Sequence, residues 1–285
     1  METANVSSPV PIVKLRDGRE LPQIGFGTVN LDDLAAEKAI PRAINSGYRL
    51  IDTASRYGNE AGVGRAIQSV DVSRESLWLT SKVRGRDQGY NETLRAFTRS
   101  AADLRVDYID LYLIHWPLPM LDKYLETWKA MITLQADDLV QSIGVSNFLP
   151  EHIERLISET GVVPAVNQVQ VDIERTRPGI RRYGESVGIV TESWSPLAQA
   201  KRGTCFTAPQ VDAIARKHSK TRSQIILRWH VQNGLVPIPK SGNPSRMAEN
   251  IDIFDFRLDD EDQTLLEQLD RGDAGTDDPM TYYED

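Results

Sequence analysis

The sequence is poor in residues that build a disulfide framework or a transition-metal centre. Its 285 residues include one cysteine, Cys205, so no disulfide can form within the chain, which favours a reducing compartment. The four histidines are His115, His152, His218 and His230, and neither H-x-H nor H-E-x-x-H occurs. We therefore expect no metal site, and the alternative of a metal-dependent hydrolase is disfavoured.

The chain also lacks cationic excess and long apolar runs. It carries 33 Lys and Arg against 41 Asp and Glu, for a formal net charge of −8. Such an acidic chain is a poor candidate for general binding to nucleic acid or to a membrane surface. The most apolar stretch, residues 108–116, contains Asp110 and is far below the roughly 20 residues that span a bilayer. Because the first residues show no basic and apolar leader pattern, we expect a cytoplasmic protein. We expect its partner to be a small molecule.

Short apolar, β-branched runs alternate with amphipathic stretches from residue 24 onward. Leu94, Phe97, Ala101 and Leu104 share one helical face, and Pro150 is typical of a helix start. Alternation of this kind indicates parallel β/α units, and about eight strands are what a closed barrel requires. The predicted strands are residues 24–28, 48–52, 77–82, 108–115, 140–147, 165–170, 188–194 and 235–238.

The fold class that follows is α/β, a single (β/α)8 TIM barrel over residues 1–285. Residues 12–21, turning at Asp17 and Gly18, predict an N-terminal β-hairpin that covers one end of the barrel. The segment after Leu269 is rich in Gly, Asp and Pro and predicts an irregular surface segment. The sequence is compatible with a monomer.

Ionisable residues end three successive predicted strands. Asp52, Lys82 and His115 occupy these ends, and Tyr57 follows Asp52 by five residues. Because such strand ends share the mouth of a parallel barrel, we expect these four side chains to meet. An ammonium lowers the pKa of a tyrosine, and a carboxylate can hold that ammonium. The set suits protonation of an oxygen that gains negative charge, as in carbonyl reduction by hydride.

Each residue taken alone has another interpretation. Asp52 and Lys82 could form a structural ion pair, Tyr57 could be an ordinary loop aromatic, and His115 could be a core histidine. The joint pattern favours the catalytic interpretation.

Several motifs, in order along nearly the whole chain, resemble those of the aldo-keto reductases. They begin with Asp-Thr-Ala-Ser-Arg-Tyr-Gly-Asn-Glu at residues 52–60 and Ser-Lys at residues 81–82. Leu-Ile-His-Trp-Pro follows at 113–117, Gly-Val-Ser-Asn-Phe at 144–148, and Ile-Pro-Lys-Ser at 238–241. Glu-Ser-Trp-Ser-Pro-Leu at 192–197 is similar to the bacterial 2,5-diketogluconate-reductase-like subgroup.

The resemblance implies an NADPH-dependent enzyme that reduces aldehydes or ketones. Tyr57 would be the general acid, tuned by Lys82 and Asp52, and His115 would orient the substrate. Trp194 would stack on the nicotinamide, and Arg246 would hold the 2′-phosphate. The further cofactor contacts that it implies are Ser146, Asn147, Gln168, Ser195, Pro196, Leu197, Lys240, Ser241, Glu249 and Asn250.

No Gly-x-Gly-x-x-Gly motif is present, because Gly58, Gly62 and Gly64 have the wrong spacing. Side chains must therefore hold the cofactor phosphates, and Lys240 and Arg246 supply cations. The alternative is that both are solvated surface charges.

The chain departs from the family pattern in places that bear on the substrate pocket. Val29 stands where an aromatic residue is frequent, which predicts room for larger carbonyl substrates. Arg56 could face the pocket or solvent, and Trp116 would form an apolar wall. After Asn-Gln at 167–168, Gln170, Asp172 and Ile173 replace the usual Glu, His and Pro.

A second class of function is a catalytically weak nucleotide-binding or sensor subunit on the same barrel. The intact set of Asp52, Tyr57, Lys82 and His115 counts against it.

Overall fold

The computed structural model describes residues 9–198 and 205–284. Eight parallel strands, each paired with the next along the chain, form the barrel wall. They are β3 (Gly25–Gly27), β4 (Leu50–Asp52), β5 (Trp78–Val83), β6 (Ile109–Ile114), β7 (Val140–Ser146), β8 (Val166–Gln170), β9 (Val190–Trp194) and β10 (Val236–Ile238). The predicted TIM barrel is confirmed.

The barrel closes where its first and last strands meet. The amide of Gly27 donates to the carbonyl of Pro239 at 3.0 Å, immediately after β10. A Cβ on Gly25 would come within 2.6 Å of Ile238 Cδ1 and 2.7 Å of Leu50 Cγ. Only glycine lets the chain pass this seam without displacing those side chains.

Helices cover the outside of the barrel between successive strands. Asp32 caps the first one by accepting from the amide of Ala35 at 2.8 Å, and Gly47 follows its end with a φ of 108°. Pro150 begins the fifth helix, as predicted. The helices are α1 (Asp33–Asn45), α2 (Glu60–Gln68), α3 (Tyr90–Leu104), α4 (Tyr124–Ala136), α5 (Pro150–Thr160), α6 (Pro178–Ser186), α7 (Pro209–His218), α8 (Arg222–Gln232), α9 (Pro244–Ile251) and α10 (Asp260–Glu267).

The predicted N-terminal hairpin is present as β1 (Ile12–Lys14) and β2 (Glu20–Pro22). Asp17 accepts from Ser142 Oγ at 2.6 Å, and Arg19 donates to Gln141 at 2.7 Å, both at the start of β7. Leu21 is fully buried with the side chains that fill the barrel interior. The hairpin therefore closes the end of the barrel opposite the strand C-termini.

The observed strands are shorter than predicted by one or two residues at several ends. Residues 48–49 and 188–189 lie before β4 and β9, and His115 follows β6 instead of ending it. His115 still donates its amide to Val83 at 3.0 Å, so it remains tied to the wall. None of the helices within the described residues is both long and apolar enough to cross a membrane.

The prediction for the segment after Leu269 was only partly correct. It is irregular beyond residue 269, but it is not a surface segment throughout, because Tyr282 stacks on Trp116 with ring centroids 3.8 Å apart. Glu284 is 3% exposed. Stacking of Tyr282 on Trp116 and the buried carboxylate of Glu284 hold residues 270–284, hereafter the tail, across the barrel mouth.

Candidate active site

A buried ion pair lies at the centre of the mouth. Lys82 Nζ donates to both carboxylate oxygens of Asp52, at 2.7 and 2.8 Å, and to the carbonyl of Thr53 at 2.9 Å. These three bonds use all three ammonium protons. Burial is the largest influence on Lys82 and opposes its charge, but Asp52, Tyr57 and Glu192 together outweigh it and raise the pKa of the ammonium.

Tyr57 lies above this pair, at the end of a 3₁₀ turn formed by Ser55–Tyr57. Ser55 Oγ donates to the carbonyl of Lys82 at 2.9 Å, which holds the turn against β5. Lys82 Nζ is 5.2 Å from the centroid of the Tyr57 ring. Burial raises the pKa of Tyr57, and Lys82 opposes that rise without cancelling it. The ammonium therefore acts on the pKa of Tyr57 in the expected direction, and burial is the larger effect.

Asn59 fixes the loop that carries Tyr57. Its amide donates to the carbonyls of Thr28 and Leu31 at 3.0 and 2.9 Å, and its oxygen accepts from Thr53 Oγ1 at 2.8 Å. Asn59 and Thr53, whose side chains form these hydrogen bonds, are fully buried. The motif at residues 52–60 contains Asn59, but its spacing gives no indication of these contacts.

His115 faces Tyr57 from β6. The two ring centroids are 5.9 Å apart at an interplanar angle of 75°, an edge-to-face contact. The carbonyl of His115 accepts from Asn147 Nδ2 at 3.0 Å. The structure therefore brings Asp52, Tyr57, Lys82 and His115 to one mouth, as the spacing predicted.

Polar side chains also meet at the C-terminal ends of β7, β8 and β9. Ser146 Oγ donates to the carbonyl of Gln168 at 2.7 Å, and Asn147 accepts from Trp194 Nε1 at 2.9 Å. Asn147 adopts a left-handed conformation, with φ of 62°. The hydroxyl and amide groups gathered here are donors and acceptors of the kind that recognise a carboxamide.

Gln168 lies between two carboxylates. Its Nε2 donates to Asp52 Oδ2 at 2.8 Å and to Glu192 Oε2 at 2.7 Å. Glu192 is fully buried on β9, and its other oxygen has no hydrogen-bond partner within the described part of the chain. Burial, reinforced by Asp52, raises the pKa of Glu192 to about 8. Glu192 belongs to the motif at residues 192–197, but a lone glutamate in a strand carries no signal of such contacts.

Ser195, Pro196 and Leu197 form a turn directly after β9. His230 on α8 holds it, with Nε2 at 3.2 Å from the carbonyl of Pro196 and Nδ1 at 3.1 Å from Ser193 Oγ. Burial lowers the pKa of His230 to about 3, so the ring is neutral. Because a carbonyl can only accept, Nε2 carries the proton. His230 therefore fastens the turn.

The cations expected for phosphate binding lie near the barrel seam. Lys240 follows β10 and Arg246 lies in the first turn of α9, and both are exposed. Within residues 9–198 and 205–284, neither forms an ion pair with an acidic side chain. Ser241 and Asn250 are buried, whereas Glu249 accepts from Thr221 Oγ1 at 2.7 Å and so supports the start of α8.

The tail lies over the residues expected to form the substrate pocket. Glu284 Oε1 is 2.5 Å from His115 Nδ1 and 3.7 Å from Arg56 Nε, and Oε2 accepts from the amide of Gly85 at 2.5 Å. Trp116 is buried beneath Tyr282. Val29, at the end of β3, is 40% exposed. Arg56 thus contacts an acidic group of the chain itself.

The departures from the family pattern after Gln168 build a local turn. The Asp172 carboxylate accepts from the amide of Glu174 at 2.9 Å and from Arg175 Nη1 at 2.8 Å. Ile173 is fully buried in the core. Gln170, at the end of β8, lines a small cavity with Trp116, Trp194 and tail residues. Nowhere in the described residues do three His, Cys, Asp or Glu side chains form a group that could hold a metal ion.

Comparison with known proteins agrees with this geometry. Residues 23–271 match the model of the aldo/keto reductase family. An aldo-keto reductase of Mycolicibacterium smegmatis is 45% identical over 272 residues, covering 95% of this chain and 98% of the relative. Methylglyoxal reductase DkgA of Escherichia coli K12 is 44% identical, covering 92% and 94%. The crystal structure of a Gox0644 mutant in complex with NADPH has a TM-score of 0.92 at 42% identity, covering 97% and 100%.

The barrel and its polar mouth are those of an oxidoreductase. The chain belongs to the aldo/keto reductase family, among its bacterial members. The assignment of residues 1–285 to a single domain stays a prediction.

Glu192 gives a prediction for stability against pH. Its folded-state pKa, about 8, exceeds the 4.5 of an exposed glutamate, so the proton favours folding. That stabilisation is complete below the unfolded pKa and is lost as pH rises through about 8. Asp52 and Lys82 are the charged groups that face Glu192. We expect the wild type to lose unfolding free energy relative to Glu192→Gln, by a few kcal/mol, as pH rises from about 5 to about 8.

Denaturant unfolding at several pH values measures this difference. Glu267→Gln on the exposed face of α10 is the matched control and should leave the pH dependence unchanged. Parallel pH profiles for wild type and Glu192→Gln would contradict the prediction.

Proposed function

We propose that this protein reduces aldehyde or ketone carbonyls to alcohols with NADPH, using Tyr57 as the proton donor. The observation that carries the proposal is the meeting of Tyr57, His115 and the Lys82–Asp52 pair at the mouth. The NADPH complex of the related Gox0644 mutant supports the choice of cofactor. NADPH supplies the hydride that the carbonyl carbon accepts.

Tyr57 would complete the reduction by protonating the carbonyl oxygen as that oxygen gains negative charge. The raised pKa of Tyr57 keeps its hydroxyl protonated before the reaction. Lys82, 5.2 Å from the ring centroid, stabilises the phenolate left after transfer. Asp52 keeps Lys82 charged, and solvent returns the proton to Tyr57 after product release.

His115 would orient the substrate oxygen beside the Tyr57 hydroxyl, since its imidazole lies in edge contact with the Tyr57 ring. Ser146, Asn147 and Gln168 present the polar groups that suit the cofactor carboxamide, and Trp194 beside them provides a flat ring for stacking. Lys240, Ser241 and Arg246 would bind the 2′-phosphate, with Glu249 and Asn250 towards the adenine. Ser195, Pro196 and Leu197 would line the cofactor between these ends.

The proposed substrates are small-molecule carbonyl compounds. DkgA of Escherichia coli is a methylglyoxal reductase, which makes methylglyoxal a suitable first substrate. Val29, in place of a frequent aromatic, would leave room for larger ketones, with Arg56 and Trp116 on the same pocket. The single cysteine suits the reducing cytoplasm, which we propose as the location.

Tyr57→Phe tests the proton donor. Because only the hydroxyl is lost, we expect turnover of methylglyoxal to fall by at least about 10²-fold while NADPH still binds. Steady-state rates and cofactor titration measure both effects. Tyr108→Phe, at the opposite end of the barrel, is the control, and near-normal turnover in Tyr57→Phe would exclude Tyr57 as the acid.

Arg246→Ala tests cofactor choice. Loss of a charged hydrogen bond to the 2′-phosphate should weaken NADPH by about 10-fold or more and leave NADH nearly unchanged. The dissociation constants of both cofactors measure the effect, with exposed Arg182→Ala on α6 as control. Equal loss of affinity for both cofactors would show that Arg246 does not bind this phosphate.

A further inference from the structure

The amide of Gln168 has one orientation that its surroundings permit. Nε2 lies 2.8 Å from Asp52 Oδ2 and 2.7 Å from Glu192 Oε2. Rotating the amide by half a turn would place its oxygen against the same two carboxyl groups. Asp52 accepts only, because Lys82 and Gln168 use its oxygens, so this rotation is unfavourable. Nε2 therefore stays between the two carboxyl groups.

The consequence is that the carbonyl oxygen of Gln168 is the amide atom left for a ligand. Gln168 is paired in register with Ser146 on β7 and with Glu192 on β9, at the level of the cofactor-facing polar groups. A carboxamide NH2 needs an acceptor, and this oxygen supplies one. If the amide of Gln168 were reversed, its NH2 group would face the NH2 group of the bound carboxamide, and neither could accept a hydrogen bond.

We infer that Glu192 is a positioning residue for the cofactor, acting through the amide of Gln168. This inference rests on the proposed function. Glu192 is suited to the role because it is the register neighbour of Gln168 and is completely buried. Its position lets the carboxyl group accept one amide proton while Asp52 accepts the other. A protonated Glu192 can carry its proton on Oε1, which has no partner within the described residues, so Oε2 accepts in either state. An apolar residue at position 192 would remove this half of the constraint.

Glu192→Leu removes this acceptor and keeps a side chain of similar size. We expect its affinity for NADP+ to fall by about 3- to 10-fold, as for the loss of one well-oriented hydrogen bond. The 3-acetylpyridine analogue of NADP+ keeps the ring carbonyl but lacks the NH2. Its affinity should therefore change little in the same variant. Quenching of tryptophan fluorescence measures both dissociation constants without turnover.

Glu192→Asp is the companion variant, since it keeps an acceptor and should preserve the preference for NADP+ over the analogue. Equal weakening of both ligands in Glu192→Leu, or no weakening of either, would overturn the inference. A wild type that binds neither ligand would instead refute the proposed function, and the inference with it. Thermal unfolding establishes that each variant is folded.

A second, independent observation concerns the tail. The Glu284 carboxylate is fully buried and lies 2.5 Å from His115 Nδ1, the group proposed to orient the substrate. Gly85 donates to its second oxygen, and Tyr282 covers Trp116. A substrate oxygen that bound to His115 Nδ1 would need the space that this carboxylate occupies.

The geometry points to Glu284 as an intramolecular competitor of the substrate, which must leave His115 before a carbonyl compound can bind. This too rests on the proposed function. Glu284→Gln removes the charge that His115 and Arg56 attract. We expect the KM for methylglyoxal to fall by about 3- to 10-fold with kcat unchanged, as the bound state of the tail becomes weaker.

Release of the tail also has a readout that does not depend on turnover. Arg271 precedes most of the tail, and its side chain is 62% exposed. Trypsin should cut Glu284→Gln after Arg271 faster than it cuts the wild type or Glu267→Gln. An unchanged or higher KM, or equal cleavage rates, would overturn the proposal. Faster cleavage of Glu284→Gln in a protein that does not turn over methylglyoxal would support the tail contact and refute the proposed function.

Discussion

The ion pair between Lys82 and Asp52 is the interaction on which the mouth of the barrel depends. Removing either partner would leave an uncompensated buried charge, at a cost of roughly 3–5 kcal/mol. Apolar side chains of similar volume could fill the same space with no buried charge to compensate. The pair by itself therefore contributes little to the stability of the fold. Its value lies in the proposed chemistry, because it places a buried positive charge beneath Tyr57.

Asp52 connects two halves of the site. Its Oδ2 accepts hydrogen bonds from both Lys82 on β5 and Gln168 on β8, which lie on different sides of the barrel. The group beneath the proposed proton donor is therefore one hydrogen bond from the group proposed to bind the cofactor. Glu192 extends the chain of contacts to β9. A change in charge at any member alters the electrostatic environment of the others, which is why neutral isosteres are the informative substitutions here.

Much of this arrangement was predictable because strand ends in a parallel barrel share one face. Asp52, Lys82 and His115 met as their spacing indicated. The contacts of Glu192 and Asn59 were not predictable, since they depend on which side chains cross the barrel, and periodicity does not encode that. The tail was misjudged as surface because its Gly, Asp and Pro content indicates loops without saying where a loop packs. The net pKa of Tyr57 depended on burial, which a sequence pattern does not measure.

The strand that closes the barrel and the residues expected to bind the cofactor phosphate are neighbours late in the chain. β3 has no neighbour on one edge until β10 is present, when Gly27 bonds to Pro239. Lys240 comes immediately afterwards, and its Cβ would be 3.7 Å from a Cβ on Gly27. A chain emerging from the ribosome therefore contains Asp52, Tyr57, Lys82 and His115 long before it contains Lys240 and Arg246, which we propose to bind the cofactor phosphate. The contact that closes the wall and the residues expected to bind the adenine end of the cofactor therefore lie next to each other in the chain.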